Sequence, residues 1–331
     1  MRKPTVLIVS PALANANNGN WQTAWRWSRM LSHEFEVEIT QKWNGKPFDV
    51  MLALHAKRSA DSIGLWAVSK GCTANTSGLG VVLTGTDLYR DIHSDVLAQR
   101  SLVLAKKLVV LQELGIQSLD AAHRGKAQVI FQSTSSRQTL VKPTRHLRAL
   151  MVGHLRDEKS PQTLFAAAGL LKAHPSILLD HIGEPLDADL AEQARATALA
   201  CPTYRWLGGQ PHETTRRRIQ AAHLLIHASK MEGGAHVVME AVCSGTPVLA
   251  SKIDGNVGML GARYPGYFEP GDAAGLADLL IKVRSQQTSN APRLNHSLIT
   301  QLQAHCASRA ALFSPTAEQT ALVKLVRELL K

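Results

Sequence analysis

His223-Leu224-Leu225-Ile226-His227-Ala228-Ser229 is a short apolar run. After Lys230-Met231 comes Glu232-Gly233-Gly234-Ala235-His236-Val237-Val238-Met239-Glu240, then Ala241–Gly245 and a second apolar run, Pro247-Val248-Leu249-Ala250-Ser251. Two short apolar runs separated by a small-residue turn and a helix-forming segment read as strand, turn, helix, strand. That order sets a helix N-terminus against an anionic ligand. Glu232 stands before the turn and Glu240, eight positions on, lies more than one helical turn inside. Both carboxylates can therefore face one pocket while the amides between them stay free. Carboxylates suit sugar hydroxyls, which donate, and amides suit phosphate oxygens, which accept. A surface helix with two unrelated glutamates is the competing reading.

The same alternation runs along the whole chain and predicts a parallel α/β architecture. Strands are expected at Thr5–Ser10, Glu36–Thr40, Val50–His55, Gly80–Thr84, Lys107–Leu111 and Gln128–Gln132. A second series falls at Ala149–Gly153, Ile177–Ile182, Tyr204–Leu207, Leu224–Ala228 and Pro247–Ser251. The polar, basic stretch Ser133–His146, with Pro143, is the expected linker, and Ser285–Asn295 a second polar loop. Helices are expected over Ser297–Ala311 and Pro315–Leu330. The domains expected are 1–140, joined by a terminal helix at about 312–331, and 149–311.

A chain of 331 residues has room for about two domains. Its 45% hydrophobic and 19% charged content is that of an ordinary globular protein able to bury a core. The net charge of +11 favours an anionic partner. Lys and Arg are spread along the chain without a basic tail, so small phosphorylated substrates fit better than nucleic acid. A bland basic surface and an acidic membrane surface are the other readings of the charge. Cys72, Cys201, Cys243 and Cys306 lie far apart with no CxxC pair, as reduced thiols of a cytoplasmic protein do. The apolar run Thr5–Val9 is too short for a signal peptide, and none reaches the ~20 residues that span a bilayer. The expectation is a soluble cytoplasmic protein with no stable membrane association.

Glu232-x7-Glu240 resembles the signature of glycosyltransferase family 4, whose members have the GT-B fold. The resemblance implies two doubly wound Rossmann-like domains facing a central cleft, with the C-terminal helix crossing back to the first. It also implies that Glu232 contacts the donor sugar and Glu240 the ribose hydroxyls of the nucleotide. The family turn reads Glu-Gly-Phe-Gly; here Gly233, Gly234, Ala235 and His236 stand in its place. Met151-Val152-Gly153-His154-Leu155-Arg156-Asp157-Glu158-Lys159 resembles the family's Gly-Arg-Leu-x-x-x-Lys, which neutralises the donor diphosphate. Lys159 matches directly; His154 takes the Arg position, and Arg156 is the nearby candidate for the charge. Gly255-Asn256-Val257-Gly258 occupies the place of a glycine turn near the donor phosphates. Such sites generally work without a divalent metal, so no metal and no cofactor beyond the UDP-sugar donor is expected.

In the first half, Asn17-Asn18-Gly19-Asn20 separates the first strand from its helix. Gly19 would let backbone amides approach an anion; an Asx-rich turn capping the helix is the alternative. Trp21, Trp25 and Trp27 on that helix read as core. His55-Ala56-Lys57-Arg58 places three potentially cationic groups after a strand, and Thr84-Gly85-Thr86-Asp87 follows the next. Asp87 reads as a base or, better, as a helix N-cap. His236 reads as a phosphate or acceptor ligand or as a packing residue. Asp187-Ala188-Asp189 has DxD spacing, but capping is the preferred reading. No metal-ligand spacing appears among the 14 histidines.

Asn17–Ala24, Leu54–Ser62, Leu83–Asp91, Val152–Lys159 and Glu232–Glu240 together resemble the selenosugar synthases of selenoneine biosynthesis. That resemblance implies coupling of UDP-N-acetylglucosamine or UDP-glucose to selenophosphate, loss of UDP and phosphate, and a 1-selenosugar handed to a downstream enzyme. The acceptor set is then Asn18, Gly19, Asn20, His55, Lys57, Arg58, Thr86 and Asp87, with Arg156, Lys159, Glu232 and His236 at the reaction. Gly153, Gly233, Gly234, Ala235, Glu240 and Asn256 would hold the donor. A family 4 enzyme acting on a hydroxyl acceptor is the first alternative. A non-catalytic binder of anions or nucleic acid is the second.

Overall fold

The computed structural model describes residues 2–13, 19–288 and 297–331. Asn17, Asn18 and most of the Ser285–Asn295 loop lie outside these residues. The chain divides into two compact units. The first comprises Met1–Ser133, Glu232–Gly234 and Leu312–Lys331; the second comprises Thr134–Met231 and Ala235–Ala311.

In the first unit the strands are β1 (Thr5–Val9), β2 (Glu36–Thr40), β3 (Val50–Leu54), β4 (Thr76–Val82), β5 (Ala105–Val110) and β6 (Ala127–Val129). They form one sheet in the order β2-β1-β3-β4-β5-β6, every neighbouring pair parallel. Strands β1 and β3 are buried at every residue, which is why they read as unbroken apolar runs. Edge strand β2 instead alternates Glu36, Val37, Glu38, and its charges blunt an otherwise open edge.

Both faces of this sheet are covered. Leu7, Val9, Met51 and Ala53 pack with Ile63, Trp66 and Leu102 on one side. Val6, Ile8 and Leu52 pack with Trp27, Leu31, Leu322, Leu325, Val326 and Leu329 on the other. The last six thus come from the helix Gly19–Leu31 and from the chain's final helix, Pro315–Leu330. Ser314 caps that final helix, its side chain accepting from the Ala317 amide.

The second unit holds β7 (Leu147–Val152), β8 (Ile177–Ile182), β9 (Tyr204–Trp206), β10 (Leu224–His227), β11 (Val248–Ser251) and β12 (Tyr267–Phe268). Their order is β12-β11-β10-β7-β8-β9, again parallel throughout. The two-residue β12 is too short to leave a periodic signal in the sequence.

Three expectations are corrected and one is made more specific. β4 begins at Thr76 rather than Gly80, because Gly78 sits at φ +73° and the ladder shifts register between Thr76 and Gly80. A Cβ there would lie 2.5 Å from the Asp49 carbonyl oxygen, so only glycine fits. Of the tryptophans, Trp27 is fully buried, but Trp25 is exposed with the Arg29 guanidinium 5.0 Å above its ring. The expected linker, Ser133–His146, starts where the first unit ends and forms no helix or strand, but from Thr134 onward it is bonded to the second unit. The Arg137 amide donates to Cys243 O at 2.8 Å, Lys142 Nζ to Gln220 O, and His223 Nε2–H to Pro143 O at 2.8 Å. Arg284 adds bonds to the carbonyls of Thr144 and Arg145, at 2.6 and 3.0 Å. Finally, Gly255–Gly258 is not a turn but part of the helix Asp254–Leu260.

Glu318 ties the first unit together. Its buried carboxylate accepts from Arg26 Nε at 2.9 Å, Trp27 Nε1 at 2.6 Å and the Ser133 amide at 2.8 Å. Glu318→Ala strands these donors and is expected to cost about 3–5 kcal/mol. Urea unfolding, followed by amide exchange in β1, β3 and the final helix, measures it. A cost below about 1 kcal/mol, the range of an exposed pair, would refute the assignment.

Candidate functional site

In the second sheet the chain runs β7, β8, β9 to one side, then returns to place β10, β11 and β12 on the other. The order reverses between β7 and β10, and open α/β sheets bind ligands outside the carboxyl ends of the strands at that point. The segment leaving β7 carries Gly153, His154, Arg156 and Lys159; the segment leaving β10 carries Ser229 and Lys230. Lys230 joins the two: its amide donates to Glu158 O at 2.9 Å and its Nζ to Asp157 Oδ1 at 2.6 Å.

The end of β7 is held rigidly from below. His181, fully buried on β8, lies 3.1 Å from Gly153 O through Nε2 and 3.1 Å from Tyr204 Oη through Nδ1. A carbonyl only accepts, so Nε2 carries the proton and Nδ1 accepts from the tyrosine. Burial depresses the His181 pKa to about 4, which keeps this neutral tautomer in place. Gly183 is needed for the close approach: a Cβ there would stand 1.9 Å from Gly153 O. The Lys159 stem packs on Gly153, where an added Cβ would meet Lys159 Cδ at 3.3 Å.

His154, at the position where the family motif has Arg, is not the cation of this segment. Its Nδ1 accepts from the Glu184 amide at 3.1 Å, and desolvation, then Arg156 and Lys159, lower its pKa. The fixed positive charge beyond β7 rests on Arg156 and Lys159.

Glu240 lies inside the helix His236–Val242 and is buried. His212 Nε2 stands 2.6 Å from its Oε1, and Arg216 Nε 3.8 Å from the same oxygen. The terminal nitrogens of Arg216 donate to Ser135 Oγ and Ser135 O at 2.9 and 2.6 Å. The hydrogen bond to Glu240 raises the His212 pKa. At the start of the same helix the Ala235 amide is directed at Met259 Sδ, 3.2 Å away, rather than left free as the sequence reading has it. His236 is the first helical residue.

The intervening turn, Glu232–Gly234, groups with the first unit. There a Cβ on Gly233 would fall 2.4 Å from the Thr84 carbonyl carbon, and one on Gly234 2.9 Å from Leu111 Cβ. Steric closeness, and not only amide access, requires both glycines. Asn256 is also corrected: fully buried in its helix, it donates through Nδ2 to Ser251 O and Oγ at 2.9 and 3.1 Å, bracing the end of β11.

The first sheet reverses its order between β1 and β3, and His55 is the first residue beyond β3. It is buried with φ +72°, a conformation that costs a non-glycine residue and that recurs at functional sites. Its Nδ1 accepts from the Arg58 amide at 3.3 Å and its Nε2 lies 3.1 Å from Thr86 Oγ1. Asp87 and Asp91 stand 3.9 and 3.8 Å away. Desolvation outweighs these carboxylates and lowers the His55 pKa.

Asp87 is not a helix N-cap. Fully buried, it accepts backwards, from the amides of Thr84 at 2.8 Å and Gly85 at 3.0 Å and, through Oδ2, from the Ala56 amide at 2.9 Å. It thereby ties together the turns beyond β3 and β4. Lys57 is paired with Asp95 at 2.8 Å, while Arg58 is exposed. Gly19 and Asn20 open the helix Gly19–Leu31, and a Cβ on Gly19 would meet nothing. His55, Thr86 and Asp87 thus come together, with Asp91 and Asp95 added by the structure. Asp187 is a plain N-cap, its Oδ1 accepting from the Leu190 amide at 3.0 Å. Among the described residues no three His, Cys, Asp or Glu side chains converge as metal ligands, and no helix is long and apolar enough to cross a membrane.

Two all-parallel doubly wound sheets, each with polar side chains gathered at its switch point, define a Rossmann-like protein of the GT-B fold class. The model of the family described as glycosyl transferases group 1 matches residues 132–301, and the chain belongs to that family. It is 28% identical over 199 residues to the D-inositol 3-phosphate glycosyltransferase of Mycolicibacterium vanbaalenii. That match takes in 53% of this chain and 43% of the relative, so the chain covers less than half of that relative's length. Among solved structures it resembles sucrose-phosphate synthase from Thermosynechococcus elongatus, with TM-score 0.76, 17% identity and 99% of both chains covered. It also resembles Anabaena HepE in complex with UDP-glucose, with TM-score 0.70, 14% identity, and 98% of this chain and 100% of that one covered. At such identities the likeness is one of fold.

The two glycines flanking Glu184 test the rigidity of the β7 end. In Gly183→Ala the new methyl meets backbone, whereas in Gly209→Ala it meets only the exposed Glu184 side chain, which can swing away. The first is expected to destabilise the second unit by about 1–3 kcal/mol and the second by well under that. Equal shifts in urea midpoint would contradict the packing described.

Proposed function

We propose that the chain transfers the glycosyl group of UDP-N-acetylglucosamine or UDP-glucose to selenophosphate, forming a 1-selenosugar. The observation that carries this reading lies beyond β3 and β4. Asp87 spends both oxygens on three backbone amides, and the His55 ring nitrogens are engaged by the Arg58 amide and Thr86. Asp87 is fully buried in these bonds and both His55 nitrogens are engaged, so neither side chain is held as a base for an acceptor hydroxyl. Selenophosphate needs no such base: it is already an anionic, strongly nucleophilic acceptor, and what it requires is positive charge. Arg58, Lys57 and His236 are the proposed sources, and Gly19, Asn20 and Thr86 are further proposed acceptor ligands.

In this reading Glu240 accepts from the ribose hydroxyls and Glu232 from the sugar. A selenium lone pair attacks the anomeric carbon and the bond from that carbon to the UDP oxygen breaks, its electron pair leaving with the diphosphate. Arg156 and Lys159 neutralise that developing charge, so turnover needs no metal and should survive a chelator. Water then cleaves the phosphorus–selenium bond, releasing phosphate and the selenosugar, a labile nucleophile suited to direct use by a following enzyme. The unpaired thiols of Cys72, Cys201, Cys243 and Cys306 support a reducing, cytoplasmic setting.

A second reading, transfer to a hydroxyl of a phosphorylated acceptor, is favoured by the relative named for D-inositol 3-phosphate. An anaerobic mass-spectrometric assay with either UDP-sugar, with and without selenophosphate, separates the two. A sugar carrying the selenium isotope pattern, formed with UDP and lost in Glu240→Ala, is the expected result. UDP release only with a hydroxyl acceptor would select the second reading. In the same assay Lys159→Ala should lower kcat by about 10²–10³, the value of one preorganised donor to a developing anion. Replacing Lys57 and Arg58 together should raise the KM for selenophosphate far more than that for the UDP-sugar; equal effects would remove both from the acceptor site.

A further inference from the structure

The buried carboxylate of Glu240 sits between two donors of unequal claim. His212 Nε2 holds Oε1 at 2.6 Å, and the His212 side chain is 65% exposed, standing at the start of the helix His212–Ala221. Arg216 Nε, one turn further along, is buried without a hydrogen-bond partner and lies 3.8 Å from that oxygen. Its guanidinium cannot come closer, because its other nitrogens are fixed on Ser135. Any closure of the gap must therefore be made by Glu240. A carboxylate released by His212 would gain a charge-assisted bond by turning onto Arg216 Nε, and would satisfy a buried donor in doing so.

From this we infer that His212 is a positioning residue for nucleotide recognition: it holds the Glu240 carboxylate off Arg216 and aimed at the ribose hydroxyls. The inference rests on the reading of Glu240 as the ribose ligand. It assigns a role to a side chain that packing does not need, since an exposed imidazole at the start of a helix contributes little to a core. It also explains why a basic helix donates a histidine there. A lysine would keep its flexible ammonium in water, whereas the planar ring presents one N–H in a fixed direction. The raised pKa of His212, set first by its bond to Glu240, strengthens the hold near neutral pH.

The test compares the Kd of UDP with that of 2′-deoxy-UDP, by calorimetry, for the full chain and three variants. The wild-type protein is expected to prefer UDP by about tenfold, one charge-assisted hydrogen bond. Glu240→Ala should bring the two ligands level. His212→Ala should do the same, weakening UDP more than 2′-deoxy-UDP, whose retained binding also reports an intact fold. His212→Gln, which can offer an N–H at similar reach, should restore most of the preference. If Glu240→Ala leaves the preference intact, or the wild type has none, the ribose reading of Glu240 falls. If Glu240→Ala abolishes it but His212→Ala retains it, that reading stands and the role of His212 is overturned.

Discussion

Buried carboxylates, each bound by donors from segments far apart in sequence, organise both units. An ionised carboxylate removed from water loses several kcal/mol of solvation, and only a convergent set of donors offsets that. Glu318 gathers the helix Gly19–Leu31, Ser133 and the final helix. Asp87 gathers the turns beyond β3 and β4 through three amides. Asp180 takes Arg148 from β7 at 2.7 Å and Arg205 from β9 at 2.8 Å. In each case the carboxylate converts sequence distance into a fixed junction, and the sheets around it need supply only apolar burial.

How much of this the sequence shows depends on what kind of force does the work. Parallel strands covered on both faces are mostly apolar, so β1, β3, β8, β10 and β11 stand out as runs whose ends fall within a residue or two of the observed ones, although β8 also buries Asp180 and His181. β4 escaped in part because Gly78 breaks the run where the strand bulges, and β12 because two residues make no pattern. Gly255-Asn256-Val257-Gly258 has the composition of a turn. It is nevertheless helical, with buried Asn256 bonded to Ser251 five residues back, a setting that composition alone does not show.

The candidate sites were legible to the same degree. Glu232, Glu240, Gly153 and Lys159 belong to local motifs and could be picked out. His212, Arg216 and His181 belong to none. In Arg216-Arg217-Arg218 nothing local marks the first arginine as the buried one; that follows only from which face of the helix meets Ser135. His181 reads as one more residue of a strand, although it fixes the carbonyl at the end of β7. A histidine count likewise says little about charge. Burial lowers the pKa of His55, His154, His181 and His223, so these serve as neutral struts with defined tautomers. The cations beyond β7 are Arg156 and Lys159.

Glu240 departs from the other buried carboxylates in a way that follows from its place. Glu318 is saturated by protein donors, Asp87 is held by three backbone amides and Asp180 is bracketed by two guanidinium groups, so each is fixed in place. Glu240 has one hydrogen-bonded side-chain donor at 2.6 Å and a second, immobile one at 3.8 Å. A carboxylate so placed keeps acceptor capacity, and a shift of roughly one ångström would bring it into hydrogen-bond reach of Arg216. Saturation is what makes a buried acid structural, and incomplete saturation at a switch point is what makes it available for recognition. The same reasoning separates Asp87 from a catalytic base despite its position beside His55. On the proposed function, what the residues beyond β3 supply is charge and positioning, which is what an already ionised acceptor requires.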